Sequence, residues 1–311
     1  MSHKVAFIFP GQGSQYVGMG KEFYEGFEYA REVFDIASEV LDIDMKRLCF
    51  EGPADALNKT ENTQPAILTV SISALNVLNK YDIKADVVAG HSLGEYTAAV
   101  AVGSIGIRDA IMLVRKRGQF MQEAVPEGQG MMVAILGLDK KIVEEMIDTG
   151  GMVTVANYNC PGQIVIAGDK KTVEEVVKVA RGSGAKKVVP LSVSIPSHTP
   201  LMGKAAERLE AIIDDIDMDD PHIPLVCNIS AKFVDSKEEL KISLIQQLTN
   251  PVLWEDSVKV MIDAGVDTFI EVGPGNVLSG LVRRTDKGVR TLNVGGLQNL
   301  EETLKELTVG S

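Results

Sequence analysis

The chain has 311 residues, 45% apolar and 24% charged, the balance of a soluble globular protein with a sizeable core. Its 31 basic residues against 43 acidic ones give a net charge of −12, which argues against broad binding to nucleic acid or anionic lipid. Cys49, Cys160 and Cys227 lie far apart with no C-x-x-C spacing, so neither a disulfide framework nor a zinc site is expected.

The start, MSHKVAFIFPGQG, lacks a signal-peptide pattern, and no apolar run approaches the roughly 18 residues of a membrane span. A cytoplasmic location is the expectation. Residues 4–9, KVAFIF, form an apolar run stopped by Pro10 and Gly11, which predicts a buried strand and a turn. Helical periodicity follows over about 21–48. After a loop at FEGPADALNKTENTQ, an Ala/Leu/Ile/Val-rich helix is expected over about 64–80. ADVVAG (85–90) reads as a second strand, EYTAAVAVG (95–103) as a small-residue helix and 108–124 as another helix. Alternation of this kind predicts a parallel α/β sheet covered on both faces.

The rhythm changes after VPEGQG (125–130). Strand MMVAILG, helix DKKIVEEMIDTG, strand MVTVANYN, turn CPG, strand QIVIAG, helix KKTVEEVVKVARGSG and strand KKVVPL follow. The order β-α-β-β-α-β is that of a ferredoxin-like split βαβ unit. The expected organisation is a large α/β domain, 1–127 and 193–311, with a small ferredoxin-like subdomain, 128–192, inserted. Helix (199–216), strand PLVCNI, helices (236–249 and 252–264), strand TFIEVG and helix (276–285) return to α/β alternation.

Residues 88–99, VAGHSLGEYTAA, hold Ser92 in G-x-S-x-G between a strand and a helix, the setting of a nucleophile elbow. Gly90 and Gly94 would relieve crowding in the turn, and the backbone N–H of Leu93 would be free to donate to an oxyanion. A serine nucleophile needs a base. His3 lies at a terminus expected to be mobile, and His222 sits in the solvated loop DDPHIP. His91 adjoins Ser92, where an orienting or packing role fits better than that of base. His198, in SIPSHTPLM at the junction of the two domains, is the candidate base because such a residue can face a cleft. An α/β-hydrolase orders its triad Ser…Asp/Glu…His near the chain's end. Here Asp139, Asp148 and Asp169 all fall in the ferredoxin-like segment, and much α/β structure follows His198. PGQGSQ is not a phosphate loop, because Tyr16 takes the last glycine position and no G-K-[ST] follows.

Seven segments in order, FIFPGQGSQYVGMG, GHSLGEYTA, RKRGQFMQ, ANYNCPGQIVIAG, VSIPSHTPLM, QQLTNPVLW and FIEVGPGNVLSGL, carry a resemblance that covers essentially the whole chain. The sequence resembles the malonyl-CoA:acyl-carrier-protein transacylases of type II fatty acid synthesis. The resemblance implies Ser92 as nucleophile and His198 as general base and acid. It implies a main-chain carbonyl, that of Gln247, orienting His198 in place of a carboxylate. It implies an oxyanion hole from the backbone N–H groups of Leu93 and Gln12, and Arg117 as partner of the free malonate carboxylate. The last role has its own physical case, since a planar guanidinium binds a carboxylate through two parallel hydrogen bonds. The implied cycle is ping-pong: malonyl-CoA loads Ser92, and the phosphopantetheine thiol of holo acyl carrier protein unloads it. No metal or redox cofactor is expected, and the enzyme is expected to be a monomer. A local basic rim of Lys186, Lys187, Arg283, Arg284 and Lys287 is expected to meet the acidic carrier. The competing reading is a serine thioesterase or esterase, which would place a carboxylate on His198.

Overall fold

The computed structural model describes residues 3–148, 150–191 and 195–309. Ten strands among them form two sheets: β1 (Lys4–Phe9), β2 (Val87–Gly90), β3 (Gly130–Leu136), β4 (Val153–Cys160), β5 (Gln163–Asp169), β6 (Lys187–Pro190), β7 (Leu225–Val226), β8 (Phe233–Val234), β9 (Val266–Val272) and β10 (Arg290–Val294). The larger sheet runs β10-β9-β1-β2-β7-β8. All its pairings are parallel except that of the short edge strand β8 with β7.

β1 shows why an uninterrupted apolar run is needed at the sheet's centre. Phe7 and Phe9 pack into one core cluster, while Ala6 and Ile8 pack into another. Side chains alternate across a strand, so a strand with helices on both faces must be apolar at every step. The chain passes from β1 to β2 on one side, whereas β9, on the other, pairs with β1. Ligands of open α/β sheets bind at the carboxyl ends of the strands near such a reversal.

The smaller sheet, β4-β5-β3-β6, is antiparallel throughout. Its helices Lys140–Ile147 and Lys170–Gly182 pack on one face through Val143, Val173, Val176 and Ala180. On this topology we propose that 128–192 is a subdomain inserted between 1–127 and 193–311. The second boundary falls at residues 192–194, outside the described residues.

Several expected elements shift. The single helical stretch over 21–48 is three helices, Lys21–Gly26, Glu28–Leu41 and Met45–Phe50. Phe27 is extended at the first break and Asp42 is left-handed at the second. The helix expected at 64–80 starts earlier, at Thr60, and carries Pro65 inside it. Pro65 has no N–H for the carbonyl of Glu61 four residues back; that carbonyl accepts instead from Arg115 Nη1 at 2.9 Å. The expected strand PLVCNI shortens to Leu225–Val226, and its helical neighbour at 199–216 becomes a 3-10 turn (Pro200–Met202) followed by helix Gly203–Ile213. Strand β10 and the helix Leu297–Val309 complete the larger layer; neither is anticipated from the sequence pattern.

Candidate active site

Strand β2 ends at Gly90, and a helix, Leu93–Ala101, starts three residues later. Ser92 bridges them with φ 53° and ψ −108°, a conformation that costs free energy in a side-chain-bearing residue and is found mostly at functional sites. The neighbouring glycines are required by space. A Cβ on Gly90 would lie 1.9 Å from the carbonyl of Gly94, and one on Gly94 would lie 2.0 Å from the carbonyl of Phe9. The elbow can therefore fold flush against the end of β1. Leu93 opens the helix, so its N–H is among the first-turn amides that have no helical acceptor.

Ser92 Oγ lies 2.8 Å from His198 Nε2. His198 Nδ1 lies 2.7 Å from the backbone carbonyl of Gln247. A carbonyl can only accept, so Nδ1 carries the proton and Nε2 of the neutral ring is left to accept from the serine. Gln247 caps the helix Lys237–Gln246, whose negative carbonyl end thus faces the imidazole and favours a transient positive charge there. No Asp or Glu occupies this place. His198 is itself left-handed, with φ 63°, and is 3% exposed. Burial, and secondarily the Arg117 charge, push its pKa down to about 3, against the Gln247 hydrogen bond, which raises it.

Arg117 comes from the helix Ile107–Ala124. Of three consecutive cations, Arg115 pairs with Glu61 at 3.4 Å and Lys116 meets Gln119 at the surface, whereas Arg117 turns inward and is 1% exposed. Gly118 brings this helix close to its neighbour, since a Cβ there would lie 2.7 Å from Glu61 Cα. Arg117 Nη2 donates to Gln247 Oε1 at 2.9 Å and reaches Ser92 Oγ at 3.3 Å. The guanidinium lies 5.1 Å over the Tyr96 ring, and its Nε is buried without a hydrogen-bond partner. Burial opposes this cation, lowering its pKa. A buried guanidinium with a spare donor has the chemistry to hold an anionic group through charged hydrogen bonds.

Gln12, Ser92, Arg117 and His198 line one cavity of about 230 Å³. It opens between the sheets: β3, β4 and β5 supply Met132, Ala134, Asn157, Asn159, Gln163 and Val165, and the helix Val277–Thr285 supplies Val277, Leu278 and Leu281. Leu93 packs its side chain in the core and Gln247 is fully buried, so neither is a lining residue.

The other histidines are placed elsewhere. His91 Nε2 lies 2.9 Å from Asn159 Oδ1, and its ring meets Trp254 edge-on, which joins the elbow to β4. His222 Nδ1 bonds the Val102 carbonyl. His3 Nδ1 lies 2.7 Å from Asp267 Oδ2 at the surface.

Sequence reasoning missed Asn228 and Asn159. Asn228 Oδ1 accepts from Ser92 N at 2.7 Å and its Nδ2 donates to the Gly90 carbonyl at 2.6 Å, clamping both sides of the elbow. The only local signal was a polar residue ending the apolar run PLVCNI. Among the described residues no group of three His, Cys, Asp or Glu side chains is arranged to hold a metal ion.

The family model for the acyl transferase domain matches residues 6–305. The chain is 47% identical over 310 residues to the malonyl CoA-acyl carrier protein transacylase of Bacillus subtilis strain 168, covering 97% of this chain and 98% of that protein. The fold is similar to that of the malonyl CoA-acyl carrier protein transacylase from Clostridium perfringens ATCC 13124, with a TM-score of 0.93 at 44% identity, over 98% and 97% of the two chains. It is similar also to a structure of a type II PKS acyl-carrier protein in complex with its malonyl-transacylase, with a TM-score of 0.95 at 40% identity over 97% and 99%.

Proposed function

The chain belongs to the acyl transferase domain family, and from that membership we propose that it transfers malonyl from malonyl-CoA to the phosphopantetheine thiol of holo acyl carrier protein in fatty acid synthesis. The observation that carries the choice of substrate is Arg117, buried, with a spare Nε donor and an Nη2 at 3.3 Å from Ser92 Oγ. Malonyl differs from acetyl by the carboxylate such a group would hold, and leaving the cation unpaired penalises acetyl.

In the first half-reaction Ser92 Oγ attacks the thioester carbonyl while His198 Nε2 takes its proton. The backbone N–H groups of Leu93 and Gln12 stabilise the oxyanion. The imidazolium, steadied by the Gln247 carbonyl, returns the proton to the departing CoA sulfur. In the second half the carrier thiol gives its proton to His198, attacks the Ser92 ester, and the proton returns to Oγ. Because the Arg117 charge is one cause of the depressed His198 pKa, a substrate carboxylate on Arg117 raises the basicity of His198 as it binds. Acid–base exchange at an ester and a thioester needs no metal or redox cofactor; CoA enters as part of a substrate.

The carrier meets a basic rim. Lys186, Lys187, Arg283, Arg284 and Lys287 are all exposed. Lys186 and Arg284 border a cleft that shares Gln163 with the acyl cavity, and Arg284 Nη1 donates to Gln163 Oε1 at 2.6 Å. Charge reversal there is expected to raise the KM for the carrier at low salt; an unchanged KM removes the rim from the account. The enzyme is read as a cytoplasmic monomer with no nucleic-acid or membrane partner, in keeping with its net charge of −12. No helix among the described residues is long and apolar enough to cross a membrane.

Intact mass after mixing with malonyl-CoA tests the reading. A malonyl adduct in the wild type, absent from Ser92→Ala, is expected. No adduct, or an adduct that survives the substitution, overturns it.

A further inference from the structure

Glu95 stands one turn beyond the nucleophile in a helix of otherwise small, aromatic or apolar residues, LGEYTAAVA, and is fully buried. Burying a carboxylate is costly unless hydrogen bonds replace its water. Its Oε1 accepts from Ser243 Oγ at 2.7 Å. Its Oε2 accepts from Gln247 Nε2 at 2.5 Å and more distantly from Asn228 N at 3.4 Å. Amide and backbone N–H groups can only donate, and the hydroxyl is placed to do so, which suits an acceptor-only carboxylate.

The consequence lies in Gln247. Its amide turns Nε2 to Glu95 and Oε1 to Arg117 Nη2, so a buried anion and a buried cation are joined through one side chain. Reversing the amide would aim NH2 at the guanidinium and oxygen at the carboxylate, opposing both ends. Burial pushes the Glu95 carboxyl upward against these hydrogen bonds, while the Glu95 charge in turn supports the Arg117 cation.

We propose that Glu95 is a positioning residue: acting through the Gln247 amide, its carboxylate aims the Arg117 guanidinium at Ser92 and balances that cation until the substrate carboxylate arrives. The proposal rests on the reading of Arg117 as the malonate partner. It gives Gln247 two separate duties, its main-chain carbonyl on His198 and its side chain between Glu95 and Arg117.

Glu95→Gln keeps the shape and removes the charge. The measurement is kcat/KM for malonyl-CoA and for acetyl-CoA, beside a thermal melt. With a charge-assisted hydrogen bond at stake, malonyl should fall about tenfold more than acetyl, chiefly through KM. A malonyl-to-acetyl ratio equal to the wild type's, including a proportional loss of both substrates, overturns the proposal. If Glu95→Gln does not fold, Ser243→Ala decides, since it removes one donor to the same carboxylate. It should lower the ratio in the same sense by about threefold, and an unchanged ratio overturns the proposal. A wild-type protein that forms no malonyl adduct would refute the underlying reading instead, so the two failures are distinct.

Discussion

The two sheets meet at one cavity and bring different chemistry to it. The elbow after β2 presents Ser92, helix Ile107–Ala124 presents Arg117, and the end of helix Lys237–Gln246 presents the Gln247 carbonyl to His198. The elbow follows a strand of the six-stranded, mostly parallel sheet, and both helices pack on the Leu93–Ala101 helix that covers it. The four-stranded sheet contributes Met132, Ala134, Asn157, Asn159, Gln163 and Val165, none of which ionises. The difference follows from geometry. Parallel strands with helices on their faces direct helix ends and tight turns to one edge, where backbone dipoles favour a developing oxyanion and imidazolium. An antiparallel sheet has little net dipole of this kind and supplies a wall.

If the larger sheet holds the chemistry, its variants should lose turnover and those of the smaller sheet should not. Ser92→Ala and His198→Ala are expected to lower malonyl transfer by at least about a thousandfold, with a double variant little worse than either, because the groups act as one unit. Stopped or quenched kinetics on the purified variants would show this, and additive losses would break the dyad. Next in size, Arg117→Ala should reduce kcat/KM for malonyl-CoA by about a hundredfold and acetyl-CoA by no more than about threefold, as the loss of charged hydrogen bonds predicts. Equal losses would remove its carboxylate role.

The pH dependence sharpens the same side. In the proposed mechanism His198 acts as a neutral base, and burial and Arg117 hold its pKa down to about 3. Activity should therefore persist as pH falls through the ordinary histidine range near 6.5 and decline only towards the folded value. In Arg117→Ala one depressing charge is gone, so the acidic limb of residual acetyl transfer should move to higher pH; a shift to lower pH would contradict the coupling. The linked stability effect has a defined sign. Below about pH 6.5 the unfolded chain binds a proton that folded His198 refuses, so this contribution to stability is lost as pH falls towards about 3. Denaturant titrations of His198→Gln should show a shallower acid decline than those of the wild type.

On the wall the expected effects are smaller. Asn159→Ala leaves His91 Nε2 without its partner and should cost about 1–3 kcal/mol of stability, read by denaturant unfolding, with the malonyl-to-acetyl ratio unchanged. Met132→Ala should alter the preference between malonyl and a methyl-branched malonyl thioester by no more than about two orders of magnitude, read by competition. A collapse of malonyl transfer in either variant would show that the smaller sheet does more than shape the cavity.

How much of this could be read from the sequence depended on locality. The elbow was legible because Gly90, Ser92 and Gly94 sit within five residues between an apolar run and a helical one. The β-α-β-β-α-β order predicted the antiparallel sheet because each turn and period was local. His198 was legible from its place at the domain junction, whereas Arg117 and Gln247 took their roles from the resemblance, since three cations in a row on a helix do not reveal which one faces inward. Asn228 and Glu95 were missed for a plainer reason: each bonds residues more than a hundred positions away in sequence. Glu95 did leave one trace, a charge in the middle of LGEYTAAVA, where burial demands partners that only the fold supplies. The three-way break of residues 21–48 escaped because its hydrophobic period continues across Phe27 and Asp42.

The most direct test of transfer is the fate of a preformed malonyl–Ser92 ester, followed by rapid quench and intact mass with and without holo acyl carrier protein. Transfer predicts an ester that persists in buffer and is discharged when the carrier thiol is added, the malonyl group appearing on the carrier. Release of free malonate at the same rate with and without the carrier would contradict it and mark the protein as a hydrolase.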